Sequence, residues 1–190
     1  MNEKIRELFE DKKLVARIQN KLPKLFHLAE LESSRAGKIG MEVGSVREKV
    51  IVALFIYKFG ESNVQTELPI TQAEVDVIVH ETPISIKTIT GKNFGGVKLI
   101  WTVDRVMAKK FLDSYHPTCD IVLAQINWQN GGGFFYFPLE VQKEIFKKIG
   151  REKYIKLPVE GTNPRGVEIS SLGLTSLVQH KNSLKISIAA

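Results

Sequence analysis

Residues 73–91, AEVDVIVHETPISIKTITG, decide the fold of this chain. Valine, isoleucine and threonine dominate both halves, and Glu81-Thr82-Pro83 separates them, which predicts two β-strands joined by a tight turn. If the loop is Glu81-Thr82, Asp76 lies directly opposite Lys87, with Cβ atoms about 4.5–5.5 Å apart. Ser85 shares the face of Lys87, because side chains alternate along a strand. A carboxylate and an ammonium group therefore meet on one face of a mostly apolar hairpin.

The Asp76–Lys87 pair is by itself open to two interpretations. Sheets often contain cross-strand ion pairs of this kind, which contribute only about 0.2–1 kcal/mol. A catalytic centre would need a third charged group close to the pair. The chain offers a candidate for that group upstream, at Glu48.

Length and composition indicate one soluble domain with a polyanionic partner. A chain of 190 residues can bury a sizeable core, and its net charge of +6 favours nucleic acid as that partner. The single cysteine, Cys119, excludes a disulfide framework within one chain and a cysteine-rich metal site. The charged N-terminus lacks the apolar run of a signal peptide, and no segment approaches the about 18 apolar residues of a membrane helix. We expect a cytoplasmic protein without membrane contact.

Hydrophobic periodicity and breakers divide the remaining chain into further elements. They predict a helical layer over 2–36 that Pro23 divides, a loop over 33–44, further helices at 45–59, 104–115 and 139–149, and strands at 64–68, 97–101, 119–128, 134–137, 154–157, 167–169 and 184–188. We take 97–101 as a strand of the central sheet. This order predicts the α/β class, with a mixed central sheet flanked by helices and a helical N-terminal layer.

Glu48 lies at the predicted start of the third helix and also has two interpretations. Ser45-Val46-Arg47-Glu48 fits a capping box, in which Ser45 is the N-cap and Glu48 reaches back to its amide. A glutamate in a first helical turn can also point across at an adjacent sheet. In that second case Glu48 would join Asp76 and Lys87.

The order Gly44, Glu48, Gly60, Asp76, Lys87 resembles the PD-(D/E)xK nuclease superfamily, including its archaeal junction resolvases. The resemblance covers residues 44–101 and implies a restriction-endonuclease-like core. One position departs from the pattern, because Ser85 stands where the superfamily has an acidic residue two before the lysine. Some restriction endonucleases of the superfamily share that serine and recruit an acid from elsewhere, a role that fits Glu48. The acid-x-Lys runs at 10–13 lie in a helical pattern without a hairpin partner, and we treat them as coincidental.

Chain size and the 40–42 loop extend this resemblance to the ThaI family of type II restriction endonucleases, which cut CG/CG to blunt ends. It implies a homodimer that acts on palindromic double-stranded DNA with a divalent metal ion. Residues 1–190 would form a single nuclease domain, in which 1–43 provide a helical region and a DNA-contacting loop and 44–190 the catalytic core.

The resemblance also assigns roles to individual residues. Glu48, Asp76 and Lys87 are the expected catalytic group. Asp76 and the Ile86 backbone carbonyl would bind Mg²⁺ through hard oxygen ligands, and Glu48 would complete the set directly or through a bound water. Lys87 would orient the attacking water and stabilise the charge that develops on the phosphate.

DNA contacts are expected at Met41, Arg35, Lys38, Arg47 and Ser85. Met41 is either a core side chain or a wedge that enters a base step from the minor groove. The three basic residues and the Ser85 hydroxyl would contact phosphates. Two rivals to a restriction enzyme stay open at this point: a junction-resolving or repair nuclease with the same core, and a non-catalytic DNA-binding module in which Asp76 and Lys87 are only an ion pair.

Overall fold

The computed structural model describes residues 2–35, 41–69, 74–128, 131–159 and 166–189. The helices are α1 (Glu3–Glu10), α2 (Lys12–Arg35), α3 (Met41–Phe59), α4 (Arg105–Ser114), α5 (Leu139–Ile149), α6 (Arg151–Tyr154) and α7 (Ser171–Gln179). The strands are β1 (Val64–Gln65), β2 (Val77–Val79), β3 (Thr82–Thr90), β4 (Val97–Ile100), β5 (Asp120–Ile126), β6 (Gly132–Phe137), β7 (Ile155–Lys156), β8 (Val167–Ile169) and β9 (Leu184–Ile188). A short 3₁₀ turn, Glu61–Asn63, joins α3 to β1.

The central sheet has six strands in the order β1-β2-β3-β5-β6-β9. β3 and β5 run parallel, with Lys87 beside Leu123, and the other neighbours pair antiparallel. A parallel pair requires a crossover connection, and the segment that contains β4 and α4 supplies it. The mixed sheet predicted from the sequence is therefore confirmed.

Two hydrophobic clusters cover the two faces of this sheet. One buries Phe26 of α2 and Phe55 of α3 against Ile84 and Ile86 of β3. The other packs Ala108 of α4 and residues of α5 to α7 against the opposite face, which includes Ile89. Successive residues of β3 thus alternate between the two clusters, as the pleat of a strand requires. Helices on both faces confirm the α/β class.

The strand predicted at 97–101 is real, but its place in the central sheet is wrong. β4 belongs to a separate antiparallel sheet with the order β4-β8-β7, in which Val97 pairs with Ile169. Val97 and Leu99 face the second hydrophobic cluster. Alternating burial identifies a strand from sequence, but it does not identify the sheet to which the strand belongs.

The N-terminal helical layer is confirmed, although it does not divide at Pro23. The break lies at Asp11, which ends α1 and accepts a hydrogen bond from the Leu14 amide at the start of α2. Leu22 and Phe26 are both buried on either side of Pro23, and this packing holds the helix together despite the missing amide donor. Even α2, with 24 residues, is not apolar enough to cross a membrane, and the same is true of the other described helices.

The helix predicted from Ser45 begins earlier, at Met41, and ends at Phe59 before Gly60 as expected. Gly60 has φ +83°, a left-handed conformation that suits glycine after a helix. The predicted 33–44 loop is correspondingly too long at both ends, since α2 continues to Arg35. Ser45 lies inside α3, so the capping-box interpretation of Glu48 is wrong.

We expect two leucine substitutions on α2 to separate core packing from helix propensity. Leu22 is 3% exposed and Leu28 is 54% exposed. Leu22→Ala should lower the free energy of unfolding by about 2–5 kcal/mol, because it leaves a cavity beneath the sheet. Leu28→Ala makes the same change in helix propensity and should cost about 0.5 kcal/mol or less. Urea unfolding monitored by circular dichroism measures both, and equal losses would contradict the burial of Leu22.

Candidate active site

Asp76 lies immediately before β2, where the chain leaves the ladder with β3. Its amide donates to the Ile84 carbonyl at 2.9 Å. Its carboxylate atom Oδ2 accepts hydrogen bonds from Ser85 Oγ at 3.1 Å and from the Ile86 amide at 2.6 Å. The carboxylate thus takes the place of a backbone acceptor on the open side of β3. In a strand the amide and the carbonyl of one residue point to the same side, so the Ile86 carbonyl also faces the side on which Asp76 lies.

The turn that creates this arrangement is His80-Glu81, and the predicted loop at Glu81-Thr82 is wrong. Val79 pairs with Thr82, and His80 and Glu81 both have positive φ, 44° and 66°. A two-residue hairpin of this kind needs positive φ at both loop positions, and a β-branched residue such as Thr82 is strained there. The resulting shift in register is two residues, which leaves every side chain on its face.

Lys87 lies beside the Asp76 carboxylate, as the sequence predicts. Its Nζ atom is 3.9 Å from Asp76 Oδ2, and both side chains are only partly exposed. This distance is at the outer limit of an ion pair. The Lys87 ammonium is therefore attracted to the Asp76 carboxylate, but at this distance it forms no hydrogen bond with Oδ2.

Glu48 projects from α3 toward the same two residues. It is half-buried two turns into the helix. Burial and the charge of Asp76 raise the pKa of Glu48 to about 6, and the charge of Lys87 opposes them. A helix and a hairpin thus bring together two carboxylates and one ammonium group.

This set of groups fits a hard divalent cation. Burial, and after it the charge of Asp76, raises the pKa of Glu48, and a cation between the two carboxylates would relieve their mutual repulsion. Asp76 Oδ1 takes part in none of the three contacts that Oδ2 makes. Within the described ranges, no three His, Cys, Asp or Glu side chains form a metal-binding group. The remaining ligands would have to be backbone carbonyls and water.

Ser85 and Arg47 do not lie where a phosphate could reach them, which corrects the expected DNA contacts. Ser85 is 0% exposed and donates its hydroxyl to Asp76. Arg47 is 9% exposed, pairs with Glu30 of α2, and has its guanidinium 5.6 Å from the Phe26 ring centroid. Ser85 thus orients the acidic residue, while Arg47 joins α2 to α3.

The other three expected DNA contacts cannot be placed in the same way. Lys38 lies outside the described residues. Met41 is the first residue of α3, and Arg35 the last of α2, but the side chains of both lie outside the described part of the chain. The choice between a core and a wedge role for Met41 therefore stays a prediction.

Sequence reasoning missed Glu74, two residues before Asp76, and the two hydroxyl groups that bind it. The carboxylate of Glu74 accepts hydrogen bonds from the hydroxyls of Tyr115 and Thr118. The spacing Glu74-x-Asp76 is the one signal that could have indicated Glu74, since it places two acids near each other just before β2. Tyr115 and Thr118 lie 41 and 44 residues further along the chain than Glu74, and only the fold brings their hydroxyl groups to its carboxylate.

The fold is that of a nuclease with a restriction-endonuclease-like core. The family model described as "Restriction endonuclease ThaI" matches residues 8–190. A solved structure described as "Restriction endonuclease in complex with substrate DNA" is 55% identical, with a TM-score of 0.92 over 97% of this chain and 88% of that chain. No curated protein matches the chain. The chain belongs to the ThaI restriction endonuclease family, and it is a nuclease that acts on DNA.

The raised pKa of Glu48 gives a pH dependence that can be measured without metal. We expect Asp76→Asn to move the pKa of Glu48 down from about 6, because a neighbouring negative charge is lost, and Lys87→Met to move it up. Carbon-detected NMR titration of the glutamate carboxyl groups in EDTA measures both shifts. If the pKa of Glu48 moved in the opposite direction in either variant, Glu48, Asp76 and Lys87 would not interact as the structure places them.

The same pKa predicts a pH-dependent effect on stability. Because the pKa of Glu48 in the folded protein lies above the ordinary glutamate value of 4.5, the folded protein binds the proton more tightly than the unfolded chain. The resulting stabilisation is complete below pH 4.5 and is lost as the pH rises through about 6. Glu48→Gln should therefore stabilise the protein more at pH 8 than at pH 4 in EDTA. Thermal melts of both proteins at the two pH values test this, and a pH-independent difference would contradict it.

Proposed function

We propose that this protein is a type II restriction endonuclease of the PD-(D/E)xK superfamily that hydrolyses palindromic double-stranded DNA with Mg²⁺. The observation that carries the proposal is the Asp76–Glu48–Lys87 cluster at the open side of β3. The proposed recognition sequence, CG/CG cut to blunt ends, is the one implied by the resemblance in the sequence, and membership of the ThaI family supports it. The protein would act as a cytoplasmic homodimer, because a twofold-symmetric enzyme matches a palindromic site.

Asp76, the Ile86 carbonyl and Glu48 are the groups that would hold the metal ion. The hydrogen bonds from Ser85 and Ile86 both end on Asp76 Oδ2. They fix the plane of the carboxylate and therefore also the position of Oδ1. Glu48 lies close enough to Asp76 to sense its charge, so it would act directly or through a bound water. When bound, Mg²⁺ supplies Lewis-acid stabilisation of the phosphate and a lower pKa for water.

Lys87 is the group that would act on the reaction itself. In hydrolysis a water oxygen bonds to phosphorus and one P–O ester bond breaks, so negative charge grows on the phosphate oxygens. An ammonium group held 3.9 Å from Asp76 can donate a hydrogen bond to that water and stabilise that charge.

The DNA contacts of the proposal come from the segment that joins α2 to α3. Arg35 and Lys38 would bind phosphates, and Met41 would enter a base step from the minor groove. A CG step suits such a wedge, because pyrimidine–purine steps are easily unstacked. The net charge of +6 supports binding of a polyanion.

Incubation of plasmid DNA with the protein and Mg²⁺, followed by sequencing of the fragment ends, tests the reaction and its site together. Blunt ends within CGCG are expected, and EDTA should abolish cleavage. A four-way junction run in parallel tests the junction-resolving alternative. Cutting of the junction with no cleavage of linear duplex would reject the restriction-enzyme proposal.

Asp76→Asn should remove nearly all cleavage and leave DNA binding intact or tighter. The substitution deletes a metal ligand and also removes a negative charge beside the phosphate. Asp11→Asn is a matched control, because Asp11 forms an ion pair with Lys58 at 2.8 Å, at the opposite end of α3 from Glu48. Cleavage rates in Mg²⁺ and duplex affinity in Ca²⁺ measure the two effects. Comparable rates for the two variants would remove Asp76 from the mechanism.

Lys87→Ala should lower the cleavage rate by about 10²–10³-fold, the usual effect of removing one transition-state donor. Lys156→Ala provides the control, since Lys156 also pairs with a carboxylate, that of Glu168, at 3.5 Å. Single-turnover cleavage of a short duplex separates this effect from product release. If Lys87→Ala cuts as fast as Lys156→Ala, the hairpin pair is structural.

A further inference from the structure

Glu74, two residues before Asp76, is held on three sides by the segment between α4 and β5. The Tyr115 hydroxyl donates to Glu74 Oε1 at 3.0 Å, and the Thr118 hydroxyl donates to Oε2. The Cys119 thiol lies 3.9 Å from the Glu74 backbone carbonyl. Both carboxylate oxygens of Glu74 are thus used by neutral hydroxyl groups, and neither of these contacts pairs it with a cation.

The support for Glu74 is rigid because Tyr115 is itself fixed. Tyr115 is 5% exposed, and its ring centroid lies 5.0 Å from that of Phe111 in a tilted pair and 6.1 Å from that of Phe146 in an edge-on pair. Arg151 of α6 donates to the carbonyls of Leu112 and Tyr115, which ties the end of α4 to the second hydrophobic cluster. The Tyr115 hydroxyl therefore offers Glu74 a point of attachment that belongs to the core.

Asp76 lies just outside the ladder between β2 and β3. The register ends at Val77–Ile84, and the backbone of Asp76 is tied to β3 by the bond from its amide to Ile84. Its carboxylate must nevertheless stay within reach of Ile86 and Lys87. A segment anchored at one end can rotate about that end, whereas one anchored on both sides cannot.

The support and the catalytic cluster are also within electrostatic range of each other. Burial and the charge of Glu74 raise the pKa of the Cys119 thiol to about 12, and the charges of Lys87 and Asp76 also act on it. The Cys119 thiol thus lies within electrostatic range of both Glu74 and the Asp76–Lys87 pair. The two groups of residues are neighbours in space.

We infer that Glu74, Tyr115 and Thr118 form a clamp that positions the Asp76 carboxylate for DNA cleavage. The inference rests on the proposed catalytic role of Asp76. None of the three clamp residues needs to touch the DNA or the metal ion. They are positioning residues, since misplacement of a catalytic group by about 1 Å can lower a rate by about 10²-fold.

Tyr115→Phe is the most direct test, because it removes one hydroxyl and keeps the buried ring. The expected result is a fall in kcat of about 10–100-fold, the usual effect of losing an outer hydrogen-bond partner of a site, with an unchanged KM for duplex DNA. Combining it with Glu74→Gln should lower kcat no further than the stronger single variant, because both remove the same interaction.

Tyr136→Phe is the matched control. The Tyr136 hydroxyl also donates to a buried carboxylate, that of Asp120, but this carboxylate binds the Leu139 amide at the start of α5. Both variants should lose similar stability, and only Tyr115→Phe should lose kcat. Equal kcat values for the two variants would overturn the clamp.

A crystal structure of Tyr115→Phe decides the matter independently of cleavage. The clamp requires that Asp76 Oδ2 move from 2.6 Å to beyond hydrogen-bonding distance of the Ile86 amide, about 3.5 Å. An unmoved Asp76 would overturn the clamp even if kcat fell. Asp76→Asn is measured alongside: if that variant cleaves normally, the proposed function fails, whereas a displaced Asp76 in Tyr115→Phe still supports the clamp.

Discussion

The hydrogen bond from the Ile86 amide to the Asp76 carboxylate is the contact on which the whole site depends. It occurs because β2 is shorter than β3, so that in the described part of the chain no strand pairs with this side of β3 beyond Ile84. A buried amide needs an acceptor, and the aspartate side chain supplies it. The requirement that fixes Asp76 is therefore the ordinary one of backbone satisfaction. The same hydrogen bond fixes the backbone next to Lys87, and it places the Ile86 carbonyl on the side of the acidic residues.

The sequence predicted the shared face of Asp76, Ser85 and Lys87 better than it predicted the turn that produces it. Alternation along a strand has a period of two, so an error of two residues in the register changes partners without changing faces. The helix that carries Glu48 was likewise predicted with the wrong first residue. Its position relative to the sheet did not depend on that residue, because the apolar run 50–55 fixes which side of α3 is buried.

Other features could not be predicted because they depend on residues far apart in the sequence. Arg47 looks like an exposed basic residue near a loop, yet Glu30 and Phe26 of another helix hold it inside. Helix α7 was missed, since its glycine and threonine are poor helix formers, and it is stabilised by the burial of Leu174 and Leu177. Local sequence patterns indicate helices and strands through their hydrophobic periodicity. They do not indicate which distant element will pack against a given residue.

The first and last elements of the fold complete each other, which has a consequence for synthesis. The Gln19 side chain of α2 donates to the Ser187 carbonyl of β9, and β9 forms the edge of the sheet beneath α1 and α2. A ribosome produces α2 long before β9, so this layer lacks part of its support until the last strand emerges. Because α3 packs on α2, the helix that carries Glu48 rests on a layer that β9 helps to support.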